Sequence, residues 1–225
     1  LGYEPGSLEV PLSLLRELPK VIREGEWTVT AFLDGDIMVD VRPWNCVSRN
    51  YGVAIDIGTT TVALQLVDLS TGEMISQVSD YNRQLMYGED VLARIMYGED
   101  HGQERLRHMI IDTINHMLAT VCSNDEICVG KGRKVCAEEV MAVSVAGNTT
   151  MMHMLLGLDP RCIRYSPYIP VTNLSPRTNA GELGLNINPR ASVHLVPGRA
   201  SYVGGDVVAD VVASGMAKGE GICLL

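Results

Sequence analysis

The chain has 225 residues, and 27 acidic against 18 basic side chains give a formal charge of −9. That balance disfavours a nucleic-acid partner, because a phosphate backbone is bound by clustered Lys and Arg. With 46% apolar residues a sizeable core is available, so neither a disordered nor a collagen-like class fits.

Residues 8–24 carry Leu12, Leu15, Leu18 and Ile22 at helical spacing, with Pro11 near the start and Gly25 at the end. Pro19 should kink or divide that helix. Two alternating runs, WTVTAFL and IMVDVRP, flank Asp34-Gly35-Asp36 and read as a hairpin. Residues 1–46 therefore read as the C-terminal part of a small α/β domain, with 47–50 as a linker. From Tyr51 the pattern changes. Tyr51–Ile57, Val62–Leu69 and Glu73–Ser79 are three strands joined by GTTT and by Ser70-Thr71-Gly72, an antiparallel meander. Gly88–Ile95 reads as a short helix. Gln103–Cys122 reads as a long one, with Leu106, Met109, Ile110, Ile114, Met117, Leu118 and Val121 on its apolar face. The pentapeptide MYGED occurs at 86–90 and 96–100, a spacing too short for a solenoid repeat. Cys122–Glu138 is a polar loop holding the basic cluster Lys131, Arg133 and Lys134. Val140–Ala146 is a buried strand, and Thr149–Leu156 a helix. Residues 159–190 are proline-rich and mostly irregular. Ser192–Val196 is a strand and Val203–Met216 a helix. The order β-β-β-α-β-α-β-α predicts a mixed sheet covered by helices.

No apolar run reaches the ~18 residues needed to cross a bilayer, and no signal peptide is visible. Neither a membrane nor a nucleic-acid partner is expected. Cysteines 46, 122, 128, 136, 162 and 223 form no CxxC pair and no zinc spacing. They read as mostly buried free thiols of a cytoplasmic protein. The chain begins at Leu1 and stops at an apparent opening strand, Gly221–Leu225. It is therefore expected to be a segment of a longer protein.

Three motifs carry chemistry. In Asp56-Ile57-Gly58-Thr59-Thr60-Thr61, the glycine permits a tight turn whose N–H groups point outward and the threonines add hydroxyls. Such a turn cradles anions such as the β- and γ-phosphates of a nucleotide. Asp56 at the strand end can hold a magnesium ion through water. An ordinary hairpin with an acidic strand residue is the plainer reading. In Ala146-Gly147-Asn148-Thr149-Thr150, a helix N-terminus offers free N–H groups to an anion, and Asn148 is also a natural cap. In Gly204-Gly205-Asp206 the glycines allow close backbone approach. Asp206 either supports the helix dipole or orients a water or hydroxyl beside a γ-phosphate. His153 lies among methionines and reads as buried, with Met151, Met152 and Met154 as core.

In this order the three motifs resemble the actin-like ATPase superfamily of acetate and sugar kinases, heat-shock chaperones and actin. The resemblance implies a ribonuclease H-like, actin-type half-fold over residues 51–225, the first lobe of two, with helices on both faces of the mixed sheet. Nucleotide would be bound by Gly58, Thr59, Thr60, Thr61, Gly147, Asn148, Thr149, Gly204 and Gly205. Asp56 would hold magnesium through water. Asp206 matches the catalytic aspartate of the sugar kinases. More narrowly, NRQLMYGEDVLARI, SVAGNTTMMHMLLGLDP and LVPGRASYVGGDVVADVVASG are similar to the reductive activators of corrinoid proteins, cytoplasmic iron–sulfur ATPases. This implies ATP-dependent reduction of cobalt(II) to cobalt(I), with ATP and magnesium bound here. It also implies a [2Fe–2S] cluster in a ferredoxin-like domain ahead of Leu1, since no C-x₄-C-x₂-C spacing is present. The implied partners are a corrinoid protein, an electron donor and a second copy in a homodimer. Residues 1–225 alone should bind ATP weakly and be inactive, because the second lobe is lacking. The alternative is a small-molecule kinase of the same superfamily, which needs a substrate-binding insertion that 159–190 does not identify.

Overall fold

The structure, a computed structural model, describes residues 6–123 and 135–218. Lys131, Arg133 and Lys134, Cys128, Cys223 and the Gly221–Leu225 stretch lie outside the described residues, as does most of the Cys122–Glu138 loop.

The first unit is a helix on a hairpin. Helix α1, Leu12–Glu24, starts after Pro11 and runs through Pro19 without a break. It buries Leu14 and packs on β2. Strands β1, Val29–Asp34, and β2, Ile37–Pro43, pair antiparallel around Gly35, whose φ of 60° suits a residue without a Cβ.

The second unit is a six-stranded mixed sheet. Strands β3, Tyr51–Ile57, β4, Thr61–Asp68, and β5, Glu73–Tyr81, form the expected meander. Helix α2, Val91–His101, and helix α3, Glu104–Ser123, cross back to β6, Val140–Gly147, which lies parallel to β3. Helix α4, Thr149–Leu156, follows at once, then the one-turn α5, Arg161–Arg164. The proline-rich stretch contains a two-residue strand β7, Thr178–Asn179, and a one-turn α6, Ala180–Leu183. Strand β8, Ser192–Leu195, lies parallel to β6, and helix α7, Gly205–Ser214, is followed by a single 3-10 turn, Met216–Lys218. The spatial order is β5-β4-β3-β6-β8-β7. The predicted β-β-β-α-β-α-β-α order therefore holds, with β7 added antiparallel along β8.

Alternation decides which face is buried. Val53, Ile55 and Ile57 of β3 and Val62, Leu64 and Leu66 of β4 point to one face. There they meet Leu106, Ile110, Ile114, Met117, Leu118 and Val121 of α3 and Met151, Met154 and Leu155 of α4. Met109 is only half-buried, while Ile111 and Thr113 are inside. The α3 stripe is wider than predicted because α3 contacts both the sheet and α4. The opposite face carries small or polar residues, Ala54, Asp56, Ala63 and Ser144, which remain exposed. Helix α7 packs against β6 and contributes nothing to the α3–α4 core.

Two readings need correction. The helix predicted at Gly88–Ile95 runs from Val91 to His101. Asp90 caps it by accepting from Ala93 N–H at 2.8 Å. The first MYGED thus precedes the helix and the second lies within it. Among the described residues the cysteines are not mostly buried: Cys122 is buried, Cys46 half-buried, and Cys136 and Cys162 exposed, none of them in a disulfide. Cys162 sits on the one-turn α5, which has a single inward position, taken by Ile163.

His153 is 2% exposed. Its Nδ1 faces the Thr149 carbonyl at 2.8 Å, and its Nε2 accepts from Val171 N–H at 3.1 Å. An Nε2 that accepts is unprotonated, so the ring is neutral with its proton on Nδ1. Burial holds its pKa below the ordinary 6.5, against the raising effects of the Thr149 bond and Asp159. The unfolded chain binds this proton more readily than the fold. Its contribution to stability is thus present above pH 6.5 and is lost as pH falls below it. We expect the denaturation midpoint to drop between pH 7 and 5, with a smaller drop in His153→Gln.

The two units interlock through buried charge. Asp40 of β2 is 4% exposed. It accepts from Arg190 Nη2 at 2.6 Å, Asn188 Nδ2 at 3.0 Å and Arg42 Nε at 3.2 Å. Arg42 and Arg49 both pair with buried Glu139, and His194 Nε2 meets Asp34 at 2.9 Å.

Candidate functional site

Three loops leave the sheet at the C-terminal ends of β3, β6 and β8, where open α/β sheets place their ligands. The first is the turn 58–60. Gly58 N–H donates to the Thr61 carbonyl at 3.0 Å, closing it tightly. A Cβ at Gly58 would stand 2.6 Å from that carbonyl oxygen, so the turn closes only around a glycine. Its three carbonyls are all held from the protein side. Gly58 O accepts from Asn82 Nδ2 at 2.9 Å, Thr60 O from Asn82 N–H at 2.8 Å, and Thr59 O from the Arg94 guanidinium. Among the described residues, the N–H groups of Thr59 and Thr60 find no protein acceptor. Thr60 is exposed. A turn with carbonyls drawn inward and N–H groups left free is built for an anion.

The second loop is the β6–α4 junction. Asn148 caps α4 by accepting from Met151 N–H at 2.9 Å, and its Nδ2 reaches Thr59 Oγ1 at 3.3 Å. The cap therefore also bridges to the first loop. Among the described residues, Thr149 and Thr150 N–H have no acceptor, which leaves the positive end of the α4 dipole unneutralised. The Thr149 hydroxyl is committed to the Ala200 carbonyl at 2.9 Å. Gly147 is buried, and a Cβ there would meet Met152 Cε at 2.7 Å and Ile57 O at 2.9 Å. It lets β6 and β3 approach closely.

The third loop is Gly204-Gly205-Asp206. A Cβ on Gly204 would stand 2.6 Å from Asn148 Cα and 2.8 Å from Thr149 N, so the second and third loops touch backbone to backbone. Gly205 is similarly pressed against Val196 O. Asp206 opens α7 and accepts from Val207 N–H at 2.8 Å. Asp56, opposite Ala63 and Ala146 in the ladders, lies on the α7 side of the sheet. Although its surface is exposed, its pKa is raised above the ordinary 3.8 by desolvation from its surroundings, then by Asp206, then by Asp210. A carboxyl group crowded by two neighbouring carboxylates suits a cation. Thr61, exposed at the start of β4, is on the Asp56 side by alternation.

All the residues singled out in the sequence thus gather at one end of the sheet. The supporting trio of Asn82, Gln84 and Arg94 was missed, although it lies in the NRQLMYGEDVLARI segment. Asn and Gln beside Arg read as a solvated surface, and only their burial, 0% exposed for each, tells otherwise. Asp210 was missed too; it follows Asp206 by one helical turn.

The family model for the RACo middle region matches residues 51–219. The chain belongs to the RACo family. The model for the RACo linker region matches residues 2–46. A relative from Eubacterium limosum, the corrinoid activation enzyme RamQ, is 30% identical over 208 residues, 91% of this chain and 34% of that protein. A solved structure of a reductive activator for corrinoid, iron-sulfur protein is 38% identical and superposes with a TM-score of 0.84. That match covers 97% of this chain and 35% of the solved one. The chain therefore spans about a third of the length of these relatives.

Proposed function

We propose that residues 51–225 are the first lobe of an actin-type ATPase domain in an ATP-dependent reductive activator of a corrinoid protein, preceded by a small module, 1–46, and a linker, 47–50. The observation that carries this reading is the set of free N–H groups at the first two loops, with the third loop pressed against the second, where glycines 58, 204 and 205 leave no room for side chains. That set fits a polyphosphate. Thr59, Thr60, Asn148 and Thr149 would grip its phosphate oxygens, with Thr61, Gly147, Gly204 and Gly205 shaping the floor. Among the described residues no three His, Cys, Asp or Glu side chains group closely enough to hold a metal directly. Asp56 would therefore hold magnesium through water, with Asp206 and Asp210 adding charge. Magnesium would neutralise charge on the phosphates. Asp206 would orient the attacking water. The described cysteines do not group into a cluster site, and the [2Fe–2S] cluster of this reading belongs to a part of the protein outside these residues. The remaining partners are an electron donor and a second copy, in the cytoplasm.

Phosphoryl transfer depends on positioning more than on covalent chemistry. Asp206→Ala in the full-length protein should lower ATP turnover about a hundredfold or more and change ATP affinity only a few-fold. Normal turnover on a less stable protein would leave Asp206 as a helix-end residue. The test of the whole reading mixes the reduced full-length protein with a cobalt(II) corrinoid partner and follows cobalt(I) absorbance. Formation of cobalt(I) should require ATP. Equal formation without nucleotide would refute the coupling, and transfer of phosphate to a small acid or sugar would mark a kinase instead.

A further inference from the structure

The Arg94 guanidinium lies behind the first phosphate loop, 0% exposed. Among the described residues no carboxylate is in salt-bridge contact with it, although the charge of Asp90 acts on it from a distance. Its Nε donates to the Gly88 carbonyl at 3.0 Å and its Nη1 to Gln84 Oε1 at 3.1 Å, with Met151 Sδ at 3.5 Å. Its Nη2 donates to the Thr59 carbonyl. A buried cation with no carboxylate in direct contact is an expensive arrangement, so stability alone does not account for it. Its cage is specific. Gln84 is itself fixed, donating from Nε2 to the Leu106 carbonyl at 2.8 Å and from its N–H to Asn82 Oδ1 at 3.1 Å. Asn82 in turn holds the Gly58 and Thr60 carbonyls. The approach of Arg94 needs Gly88, where a Cβ would lie 2.8 Å from Arg94 N. Holding the Thr59 carbonyl inward turns the other end of the same planar peptide, the Thr60 N–H, toward solvent.

We propose that Arg94 is a positioning residue for the phosphate turn, fixing the Thr59–Thr60 peptide and placing a buried positive charge on the protein side of the turn. It touches no ligand itself. The proposal rests on the nucleotide reading of this turn. Oriented peptide N–H groups and a buried charge act on phosphates and leave the nucleoside untouched. Their removal should therefore discriminate between ligands that differ only in phosphate.

The test measures dissociation constants of ATP, ADP and adenosine for the full-length protein and for Arg94→Lys and Arg94→Met, with folding checked by circular dichroism. The lysine variant keeps charge without the fork, and the methionine variant keeps volume without either. We expect ATP affinity to fall about tenfold to a hundredfold in Arg94→Met and less in Arg94→Lys. Adenosine binding should change little in both. Unchanged ATP affinity in either folded variant would overturn the proposal, as would equal losses for ATP and adenosine, which mark general loosening. Absence of ATP binding by the unaltered protein would overturn the nucleotide reading and this proposal with it. Should Arg94→Met fail to fold, the ratio of ATP to adenosine affinity in Arg94→Lys decides alone.

Discussion

Asp56→Asn should yield a full-length protein that is at least as stable as the original and hydrolyses ATP about a hundredfold more slowly. The two effects have one origin. In the fold Asp56 keeps an exposed surface, yet desolvation by its surroundings, then the charges of Asp206 and Asp210, raise its pKa above the ordinary 3.8. Between that value and the raised one, the folded protein keeps a proton that the unfolded chain releases. Stability therefore falls as pH rises through this window and stays lower above it. Asparagine has the same shape and no charge, so the slope disappears and the repulsion with it. The hydrolysis deficit arises because the lost carboxylate is the group proposed to anchor the magnesium shell; a hundredfold loss corresponds to about 2.7 kcal/mol of transition-state stabilisation. Urea denaturation from pH 3 to 7, paired with a phosphate-release assay at varied magnesium, checks both halves. A destabilised variant with unchanged hydrolysis would make Asp56 an ordinary strand residue.

Asp40→Ala should cost about 3 kcal/mol or more of folding stability, the loss expected when one partner of a buried ion pair is removed. Asp40 receives three side-chain donors, two from Asn188 and Arg190 of the sheet unit and one from its own strand neighbour Arg42. Among the described residues, alanine leaves the half-buried Arg190 with only the exposed Glu17 to pair with. The damage should be local first. The hairpin unit should separate from the sheet, so protease should cut within 44–50 before the sheet unfolds. Asp40→Asn keeps the shape and one set of hydrogen bonds and should lose less. Equal resistance to protease in the alanine variant would show that the interlock contributes nothing to docking.

The meander and helices α3 and α4 were legible because their signals are local. Alternating apolar residues with Gly at the turns define β3–β5, and α4 begins after a capping Asn148. The start of α2 was misplaced because the residue that sets it, Asp90, sits in a repeated pentapeptide whose two copies adopt different structures. Strand β7 had no legible signal, and the signal of α6, the Asn179–Glu182 capping box before Gly184, went unread in a proline-rich stretch. They exist because Ala180 N–H finds the Ala191 carbonyl at 2.9 Å and Gly181 N–H finds the Pro189 carbonyl at 2.9 Å, contacts made across a chain reversal. For the site, the glycines and aspartates advertised themselves at strand ends. Arg94, Gln84 and Asn82 did not, since a polar side chain buried by partners from distant segments looks like a solvated one in sequence. The exposed Cys136 and Cys162 show the converse: apolar character in a residue type does not predict burial where the backbone makes only one short turn.

The parallel pairing of β3 with β6 has a consequence for synthesis. The meander β3–β5 is complete once Tyr81 has left the ribosome, but the partner for the other edge of β3 begins only at Val140. At roughly 5–20 residues per second, that edge waits on the order of ten seconds with its N–H and C=O groups unpaired. During this interval the nascent chain presents Val53, Ile55 and Ile57 beside a bare strand edge, a surface on which a neighbouring chain can add a strand. The α3 segment emerges in the meantime and can cover the apolar face, but it cannot satisfy the edge. Yield in cells should therefore depend on elongation rate and on holding chaperones more strongly than the equilibrium stability of the finished fold would suggest.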